Sequence, residues 1–271
     1  MAKVRLDSLM FTLGLAESRE KARSMIIAGE VKVNGIQLDK PGTKVEDIAE
    51  IVVSPRRSKY VSRGGFKLEG AMHDFSVDFV DKVVLDVGAS TGGYTDCALQ
   101  NGAAKVFALD VGYGQLDWGL RIDKRVVVME RTNIRYTNLE DLGEQVDIIT
   151  VDVAFISTRL IYPVLSRLLK DDGEIVCLIK PQFEAGKEKV GKKGVVKDPE
   201  VHREVLLQCI RVASEVGLNC VGISYSPIKG PQGNIEYFIH LKKQLEPLEH
   251  TADTVAEVVQ KAHSILEGKK R

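Results

Sequence analysis

The sequence predicts an α/β protein built on a mostly parallel sheet of about seven strands, with a small α+β domain before it. From residue 82 onward, short apolar segments alternate with helical ones, which is the pattern of a doubly wound parallel sheet. The first 53 residues follow a different pattern, with two short helices and a hairpin signal. A length of 271 residues suits one large domain with a small companion.

Composition and charge exclude several classes of protein. Apolar residues make up 44% of the chain and charged residues 28%, which excludes disordered, collagen-like and disulfide-rich chains. The 38 basic and 38 acidic residues cancel, so any basic surface must be local. The four cysteines show no metal-ligand spacing, and no apolar stretch approaches the roughly 18 residues of a membrane span. We therefore expect a soluble cytoplasmic protein with buried thiols, no metal and no membrane contact.

Two helices are predicted near the start of the chain. Apolar residues recur at helical spacing between Leu6 and Leu13, and Gly14 ends that helix. Ser18 can cap a second helix, which Gly29 ends.

A hairpin follows the two helices. Val31–Val33 is predicted as a short strand, Asn34-Gly35 is a strong two-residue hairpin signal, and Ile51–Val53 closes the unit as a further strand. Arg19 and Arg23 are four residues apart on the second helix and share one of its faces, next to this hairpin. The segment thus predicts a compact α+β unit with basic side chains on one side.

This unit resembles the S4 RNA-binding module across nearly its whole length. The resemblance rests on Arg5-Leu6-Asp7, Leu9, Gly14-Leu15, Ser18-Arg19, Ala22, Ile26, Gly29, Val31, Val33-Asn34-Gly35 and Lys40-Pro41. It implies binding of structured RNA through the helix face of Arg19 and Arg23 and through the hairpin. The alternative is a small helical domain that only packs against its neighbours.

A basic segment separates the two predicted domains. Residues 54–67 contain five lysines and arginines and no acid, and Pro55 and the Gly64-Gly65 pair interrupt the segment. We predict an S4 domain at residues 1–57, a linker at 58–63, a large α/β domain at 64–245, and a C-terminal helix with a basic tail at 246–271. The candidate RNA contacts of the S4 domain and linker are Arg5, Arg19, Arg23, Lys32, Arg56, Arg57, Lys59 and Arg63. For the linker, a merely solvated loop is the alternative.

A glycine-rich turn follows the first strand of the large domain. The strand at 82–87 leads into Gly88-Ala89-Ser90-Thr91-Gly92-Gly93, where the backbone can approach a ligand closely. Asp110 ends the next strand, 22 residues after Gly88, and is placed to accept hydrogen bonds from a ribose. A dinucleotide site requires G-x-G-x-x-G, whereas here Ser90 replaces the second glycine, and Asp86 suits a cationic amino acid better than a pyrophosphate. These features favour S-adenosyl-L-methionine over NAD.

Charged residues end five successive strands of the predicted sheet, namely Asp86, Asp110, Glu130, Asp152 and Lys180. Chemistry in such a sheet gathers beyond the carboxyl ends of its strands. Glu130 is placed to meet the adenine edge of a cofactor. The full set of candidate cofactor contacts is Asp86, Gly88, Ala89, Ser90, Thr91, Gly92, Gly93, Asp110, Val111, Glu130, Asp152 and Phe155.

Lys180 is the residue of greatest chemical interest. It directly follows the apolar run Ile175–Ile179, so its stem is expected to leave the sheet rather than a solvated surface. A partly desolvated lysine near another cation can act as a base or proton acceptor. The alternative is a lysine that extends its charge from a strand end into water.

Four residues resemble the Lys-Asp-Lys-Glu tetrad of the FtsJ-like ribose 2′-O-methyltransferases. They are Lys67 in Ser62-Arg-Gly-Gly-Phe-Lys67, Asp152 in Thr150-Val-Asp152, Lys180 in Leu178-Ile-Lys180-Pro181 and Glu236 in Gly233-Asn-Ile-Glu236. Together with the S4 resemblance, this arrangement is similar to the TlyA family, from about Arg5 to Leu241. The resemblance implies a Rossmann-like, S-adenosyl-L-methionine-dependent methyltransferase that acts on cytidine ribose in ribosomal RNA within ribosomal subunits.

The resemblance also implies a role for each member of the tetrad. A ribose 2′-hydroxyl is a poor nucleophile, so its methylation needs proton removal and in-line placement. Lys180 would take or stabilise the proton, Lys67 would add positive charge for the alkoxide or a phosphate, and Asp152 and Glu236 would orient the lysines. The sequence leaves open whether Lys180 is a base or an electrostatic clamp, and whether Glu236 is only a structural acid of its strand.

A lysine-rich segment at 181–197 follows Lys180. It contains three glycines, so we predict a mobile loop that clamps RNA, with a merely solvated loop as the alternative. Its candidate RNA contacts are Lys187, Lys189, Lys192 and Lys193.

Two other classes of function compete with a methyltransferase. A membrane-lytic haemolysin would need a membrane-inserting segment and an export route, and the sequence shows neither. An RNA-binding protein with an inactive methyltransferase fold is disfavoured by the complete tetrad and the intact glycine turn.

Overall fold

The structure, a computed structural model, describes residues 3–27, 29–53 and 58–267. They form two compact units, divided between Ser62 and Arg63. Two of the predicted RNA contacts, Arg56 and Arg57, lie outside the described residues. Within the described ranges, no helix is long and apolar enough to cross a membrane, and no group of His, Cys, Asp and Glu side chains is arranged to hold a metal ion. All four cysteines are buried, as predicted.

The first unit combines two short helices with short antiparallel strands. The helices are α1 (Leu6–Thr12) and α2 (Arg19–Ile27), and the strands are β1 (Lys3–Arg5), β2 (Val31–Val33), β3 (Ile36–Gln37), β4 (Lys44–Glu46) and β5 (Ile51–Val53). Strand β1 pairs with β4, and β2 lies between β3 and β5. The two helices bury Leu6, Met10, Ala22 and Ile26 in a common apolar core.

Most of these elements follow the predicted pattern. Gly14 and Gly29, just beyond the two helices, adopt φ angles of +71° and +73°. Ser18 Oγ accepts a hydrogen bond from the backbone N–H of Lys21 at 3.0 Å, which is the predicted cap. The Asn34-Gly35 pair forms the tight turn between β2 and β3, with φ angles of +49° and +79°. Strands β1 and β4 were not predicted, because each has a single apolar residue between two charged ones, whereas β2 and β5, of the same length, have two and three apolar residues.

The second unit is a seven-stranded sheet flanked by helices, in the strand order β11-β12-β10-β9-β6-β7-β8 over the described residues. The strands are β6 (Val83–Val87), β7 (Lys105–Leu109), β8 (Val126–Met129), β9 (Val146–Val151), β10 (Leu169–Ile179), β11 (Asn219–Tyr225) and β12 (Tyr237–Lys242). The helices are α3 (Gly64–Phe75), α4 (Gly93–Gln100), α5 (Trp118–Arg121), α6 (Leu139–Leu142), α7 (Tyr162–Leu168), α8 (Pro181–Glu184), α9 (Pro199–Ser214) and α10 (Thr251–Glu267). Strand β12 is antiparallel to both neighbours, and the other pairings are parallel, so the predicted mostly parallel sheet is confirmed.

The core of the second unit lies on this sheet. Each of the five residues in the run 175–179 of β10 is fully buried, which explains why the run is apolar without alternation. Helix α10 adds Val255, Val259 and Ala262 to the same cluster, as expected for an amphipathic terminal helix that packs.

The structure differs from the predicted elements at three places. The Gly64-Gly65 pair, which was predicted to interrupt the basic segment 54–67, instead opens helix α3, where Gly65 is buried. Strand β10 begins at Leu169, six residues before the predicted apolar run Ile175–Ile179, because its first part carries exposed polar residues. Glu236, which the sequence placed within a strand, directly precedes β12.

Candidate active site

Four ionisable side chains from separate elements meet at the carboxyl end of the sheet. Lys67 Nζ lies 2.6 Å from Glu236 Oε2 and 3.7 Å from Asp152 Oδ2. Lys180 Nζ lies 2.5 Å from Asp152 Oδ1. The Asp152 carboxylate therefore contacts both lysines, and the four groups form a row of alternating charge: Glu236, Lys67, Asp152, Lys180. We call this row the tetrad.

The register of the central strands places three of these side chains together. Ile179 of β10 is opposite Tyr237 of β12, so Lys180 and Glu236 flank the same antiparallel pair. Asp152 directly follows β9, which runs parallel beside β10. The sheet alone thus fixes the backbone positions from which these three groups meet.

Helix α3 brings Lys67 to the same point. The Phe75 ring stacks on His240 of β12, with ring centroids 5.1 Å apart. Gly70 lies so close to Pro227 that an alanine Cβ there would be 2.9 Å from the proline Cγ. These contacts hold the helix against the sheet, so that Lys67 reaches Glu236 from above the strand ends.

The tetrad is largely withdrawn from water. The exposed fraction of the side chain is 0% for Glu236, 7% for Lys67, 12% for Lys180 and 19% for Asp152. Two positive and two negative charges balance, which is the condition under which charged groups can be buried. Lys180 and Asp152 are the more exposed members, so the tetrad is accessible to solvent from their side.

The glycine turn after β6 packs directly against the tetrad. Gly88 has a φ of +88°, and an alanine Cβ there would lie 2.5 Å from the carbonyl oxygen of Asp152. Asp110 accepts hydrogen bonds from the backbone N–H groups of Ser90 at 2.8 Å and Gly112 at 2.7 Å. Ser90 has a left-handed φ of +50°, and strained backbone of this kind gathers at functional sites. Asp110 therefore ties the loop after β7 to the glycine turn.

Asp86 lies beneath this turn and is almost fully buried. Its Oδ2 accepts a hydrogen bond from Thr95 Oγ1 at 2.7 Å, and its Oδ1 accepts one from Thr150 Oγ1 at 3.0 Å. Burial raises the pKa of Asp86 to about 6, despite these two hydrogen bonds. The sequence did not indicate either threonine, since nothing local connects them to an acid nine or 64 residues earlier.

The remaining cofactor candidates surround the turn. Glu130 Oε1 accepts hydrogen bonds from Gly114 N at 2.9 Å and from the Arg121 guanidinium at 2.5 Å. Burial raises the pKa of Glu130, but these donors outweigh it and hold the pKa below its ordinary value. Val111 is exposed, and Phe155 is 90% exposed with a left-handed φ of +63°. The predicted contacts of these residues with a cofactor stay predictions.

The first unit presents the predicted basic side chains to solvent. Arg19, Arg23 and Lys32 are exposed. Arg5 donates two hydrogen bonds, of 3.0 and 2.6 Å, to the fully buried carboxylate of Asp7, whose Oδ1 also lies 3.8 Å from Arg19. The hydrogen bonds from Arg5 hold the pKa of Asp7 below its ordinary value. Asp7, which we named only as part of the S4 pattern, orients two of the candidate RNA contacts.

The other predicted RNA contacts are more varied in their surroundings. Lys59 lies over the Tyr60 ring, 5.1 Å from its centroid, and the exposed Arg63 donates a hydrogen bond to the carbonyl oxygen of Lys229. In the lysine-rich segment, Lys189 pairs with Glu204 of α9. The other three candidate RNA contacts of this segment are exposed, namely Lys187, Lys192 and Lys193. Where the sequence predicts only a loop, the structure forms α8 and a 3₁₀ turn at Lys187–Lys189.

Comparison with known proteins agrees with this geometry. The family model described as FtsJ-like methyltransferase matches residues 60–243, and the model of the S4 domain matches residues 4–51. This chain belongs to the FtsJ-like methyltransferase family. The family assignment covers all four members of the tetrad and the glycine turn.

Several proteins can be aligned with this FtsJ-like methyltransferase over nearly its whole length. The TlyA protein of Mycobacterium tuberculosis, a 16S/23S rRNA (cytidine-2′-O)-methyltransferase, is 45% identical over 245 residues, which is 90% of this chain and 91% of that protein. The Bacillus subtilis protein YqxC, provisionally named an rRNA methyltransferase, is 50% identical, and the alignment covers 99% of this chain and 97% of that protein. A solved structure from Streptococcus thermophilus, provisionally named a haemolysin, is 42% identical with a TM-score of 0.79, over 100% of this chain and 99% of that one. The predicted resemblance to the TlyA family is confirmed.

Proposed function

We propose that this protein transfers a methyl group from S-adenosyl-L-methionine to the 2′-hydroxyl of a cytidine ribose in ribosomal RNA. The observation that carries the proposal is the tetrad itself, a buried row of alternating charge packed against a glycine turn. Such a row suits a reaction in which a hydroxyl must lose its proton in a site of low polarity. The rRNA methyltransferase names of the M. tuberculosis and B. subtilis relatives support the same reaction.

The residues around the turn suit S-adenosyl-L-methionine. Asp110 binds two backbone N–H groups and keeps lone pairs for the diol of a ribose. Asp86 and Asp152 would supply negative charge that suits the positively charged sulfur of the cofactor. The close approach of Gly88 to Asp152 leaves the cradle free of a side chain that would fill it. When bound, the cofactor supplies an electrophilic methyl group on a positively charged sulfur.

Within the tetrad we assign the central role to Lys180. The Lys180 ammonium lies 2.5 Å from Asp152 Oδ1, where it stabilises negative charge as it develops on the ribose oxygen. The ribose hydroxyl gives up its proton to water at the exposed side of the tetrad as its oxygen takes the methyl group, and S-adenosyl-L-homocysteine is the product that leaves. Asp152 holds Lys180 in place, and Glu236 and Lys67 hold Asp152 from the buried side.

We further propose that the first unit binds ribosomal RNA through phosphate contacts. Its match to the S4 domain and the exposed side chains of Arg19, Arg23 and Lys32 support this role. The lysine-rich segment after α8 adds positive charge within the second unit. The substrate would then be RNA within ribosomal subunits, and the protein would act in the cytoplasm, where those subunits are found.

The test uses ribosomal subunits from cells that lack this protein. Small and large subunits, and the free RNA of each, are incubated separately with the full chain and S-adenosyl-L-methionine labelled in its methyl group. We expect label in RNA that nucleoside digestion recovers as 2′-O-methylcytidine. Label on a base or on a ribosomal protein, or no label in any of the four substrates, would contradict the proposal.

A further inference from the structure

Two chain segments that begin at tetrad residues run side by side beyond the sheet. The first extends from Asp152 to Arg159 and the second from Lys180 to Glu184. At their start the ion pair of Lys180 Nζ with Asp152 Oδ1, at 2.5 Å, joins them. Further along, the rings of Phe155 and Phe183 pack with their centroids 5.0 Å apart. The far ends of both segments meet at the side chain of Glu184.

The Glu184 carboxylate accepts hydrogen bonds from three successive residues of the first segment. Its Oε2 accepts one from Ser157 Oγ at 2.5 Å and one from Arg159 Nε at 3.3 Å. Its Oε1 accepts one from Thr158 N at 2.7 Å and one from Thr158 Oγ1 at 2.9 Å. Arg159 also donates to the backbone carbonyl of Glu184 at 3.2 Å. The carboxylate is thus bonded at both oxygens, as a buried charge requires.

The second segment has little stability of its own. Helix α8 has only four residues, and Lys180 is its N-cap residue. A single helical turn is unstable without tertiary contacts, so the orientation of α8, and with it the backbone of Lys180, depends on what holds its far end. Glu184 is the last residue of α8, and its side chain is only 2% exposed.

We propose that Glu184 is a positioning residue for methyl transfer. It holds the Lys180 segment against the Asp152 segment, which keeps the ammonium and the carboxylate at ion-pair distance and keeps Phe155 on Phe183. Glu184 lies at the opposite end of both segments from Lys180 and does not touch the reacting atoms. The inference rests on the roles proposed above for Asp152 and Lys180.

The variant Glu184→Gln tests this inference, because the amide keeps the shape of the side chain and loses its charge. One of its two terminal atoms becomes a donor that cannot accept from Ser157 or Arg159. We expect the single-turnover rate at saturating RNA and cofactor to fall on the order of tenfold to a hundredfold, as misplacement of a reacting group does. The Kd for S-adenosyl-L-methionine should stay at the wild-type value, because Asp110 and the glycine turn are untouched.

The matched control is Asp147→Asn. Asp147 is a partly buried acid near the start of β9, the strand that leads to Asp152, and it accepts hydrogen bonds from Lys170 Nζ at 2.7 Å and from the backbone N–H of Val83 at 2.8 Å. This control removes a comparable charge without touching either segment, so it should lower the Tm and leave the rate unchanged. Equal rate losses in both variants, or an unchanged rate in Glu184→Gln, would overturn the inference.

Two further variants separate this inference from the proposed function. If Glu184→Gln does not fold, Ser157→Ala removes one of the four bonds to the carboxylate and should give a severalfold loss of rate at an unchanged Kd for the cofactor. An unchanged rate in Ser157→Ala would then count against the inference. Lys180→Ala provides the reference. If Lys180→Ala is inactive and Glu184→Gln is fully active, only the positioning role of Glu184 is overturned. Full activity in both variants overturns the assignment of the tetrad.

Discussion

The buried carboxylate of Asp86 destabilises the fold at neutral pH, and the variant Asp86→Asn should therefore stabilise it. In the folded protein burial raises the pKa of Asp86 from 3.8 to about 6. The folded state thus holds this proton more tightly than the unfolded state, so the free energy of unfolding falls as pH rises from about 4 to about 6 and then levels. Asparagine keeps the shape: one of the two threonine hydroxyls, of Thr95 or Thr150, can still donate to its amide oxygen, and the other can rotate to accept from its NH2 group.

The size of the effect follows from the shift in pKa. A rise of about two units corresponds to about 3 kcal/mol of unfolding free energy that the wild type lacks above pH 6. For a unit of this size each kcal/mol moves the Tm by about 2–4 °C, so Asp86→Asn should raise the Tm by about 6–12 °C at pH 7. The same variant should bind S-adenosyl-L-methionine more weakly, because it loses negative charge near the cofactor, which is a common exchange of stability against function.

The assay is thermal and urea unfolding of the full chain, followed by far-ultraviolet circular dichroism at several pH values between 3.5 and 7.5. The quantity of interest is the difference in the free energy of unfolding between Asp86→Asn and wild type at each pH. Any change in hydrogen-bond geometry at residue 86 affects this difference equally at every pH, whereas the charge effect depends on pH. Asp172→Asn, at an exposed position of β10, controls for the change in net charge. A difference that does not grow between about pH 4 and pH 6 would refute the reasoning.

Three further predictions follow from the geometry. Asp110→Ala should weaken binding of S-adenosyl-L-methionine in calorimetry, because the glycine turn loses the acceptor of two backbone hydrogen bonds; unchanged affinity would remove Asp110 from the cofactor site. Gly88→Ala should lose both cofactor binding and methyl transfer, because its Cβ would lie 2.5 Å from the Asp152 carbonyl oxygen, whereas Gly217→Ala, where φ is also positive and no atom lies within 4 Å of the added Cβ, should retain both. Replacing Arg19 and Arg23 with alanine should weaken RNA binding and reduce the log–log salt slope by roughly 0.7 to 0.9 for each lost phosphate contact. An unchanged slope would show that this helix face does not bind RNA.

The members of the tetrad were predictable from the sequence, and their arrangement was not. Asp152 and Lys180 each follow an apolar strand, and a sheet of parallel strands brings such residues to one edge. That Asp152 bonds to both lysines depends on the register of β9, β10 and β12, which joins residues far apart in the chain. Lys67 depends in addition on the placement of α3, a helix that the sequence analysis did not predict.

The supporting residues were harder to find, because their partners are distant in sequence. Thr150 reaches Asp86 across two neighbouring strands, and Glu184 bonds to residues 25 to 27 positions earlier. Local patterns of charge or of apolar spacing do not indicate contacts between residues so far apart in the sequence. Asp7 is the exception, since an acid two residues after Arg5 at a helix start is a local signal for a pair of this kind.

The most direct test of the proposed chemistry is a comparison of Lys180→Ala with wild type in two measurements on the same preparation. Single-turnover reactions with unmethylated ribosomal subunits measure the formation of 2′-O-methylcytidine, and calorimetry measures binding of S-adenosyl-L-methionine. We predict that Lys180→Ala forms this nucleoside at least about a hundredfold more slowly than wild type, while its Kd for the cofactor is unchanged. Methylation by Lys180→Ala at close to the wild-type rate would contradict the assignment of Lys180, and with it the proposed chemistry of the tetrad.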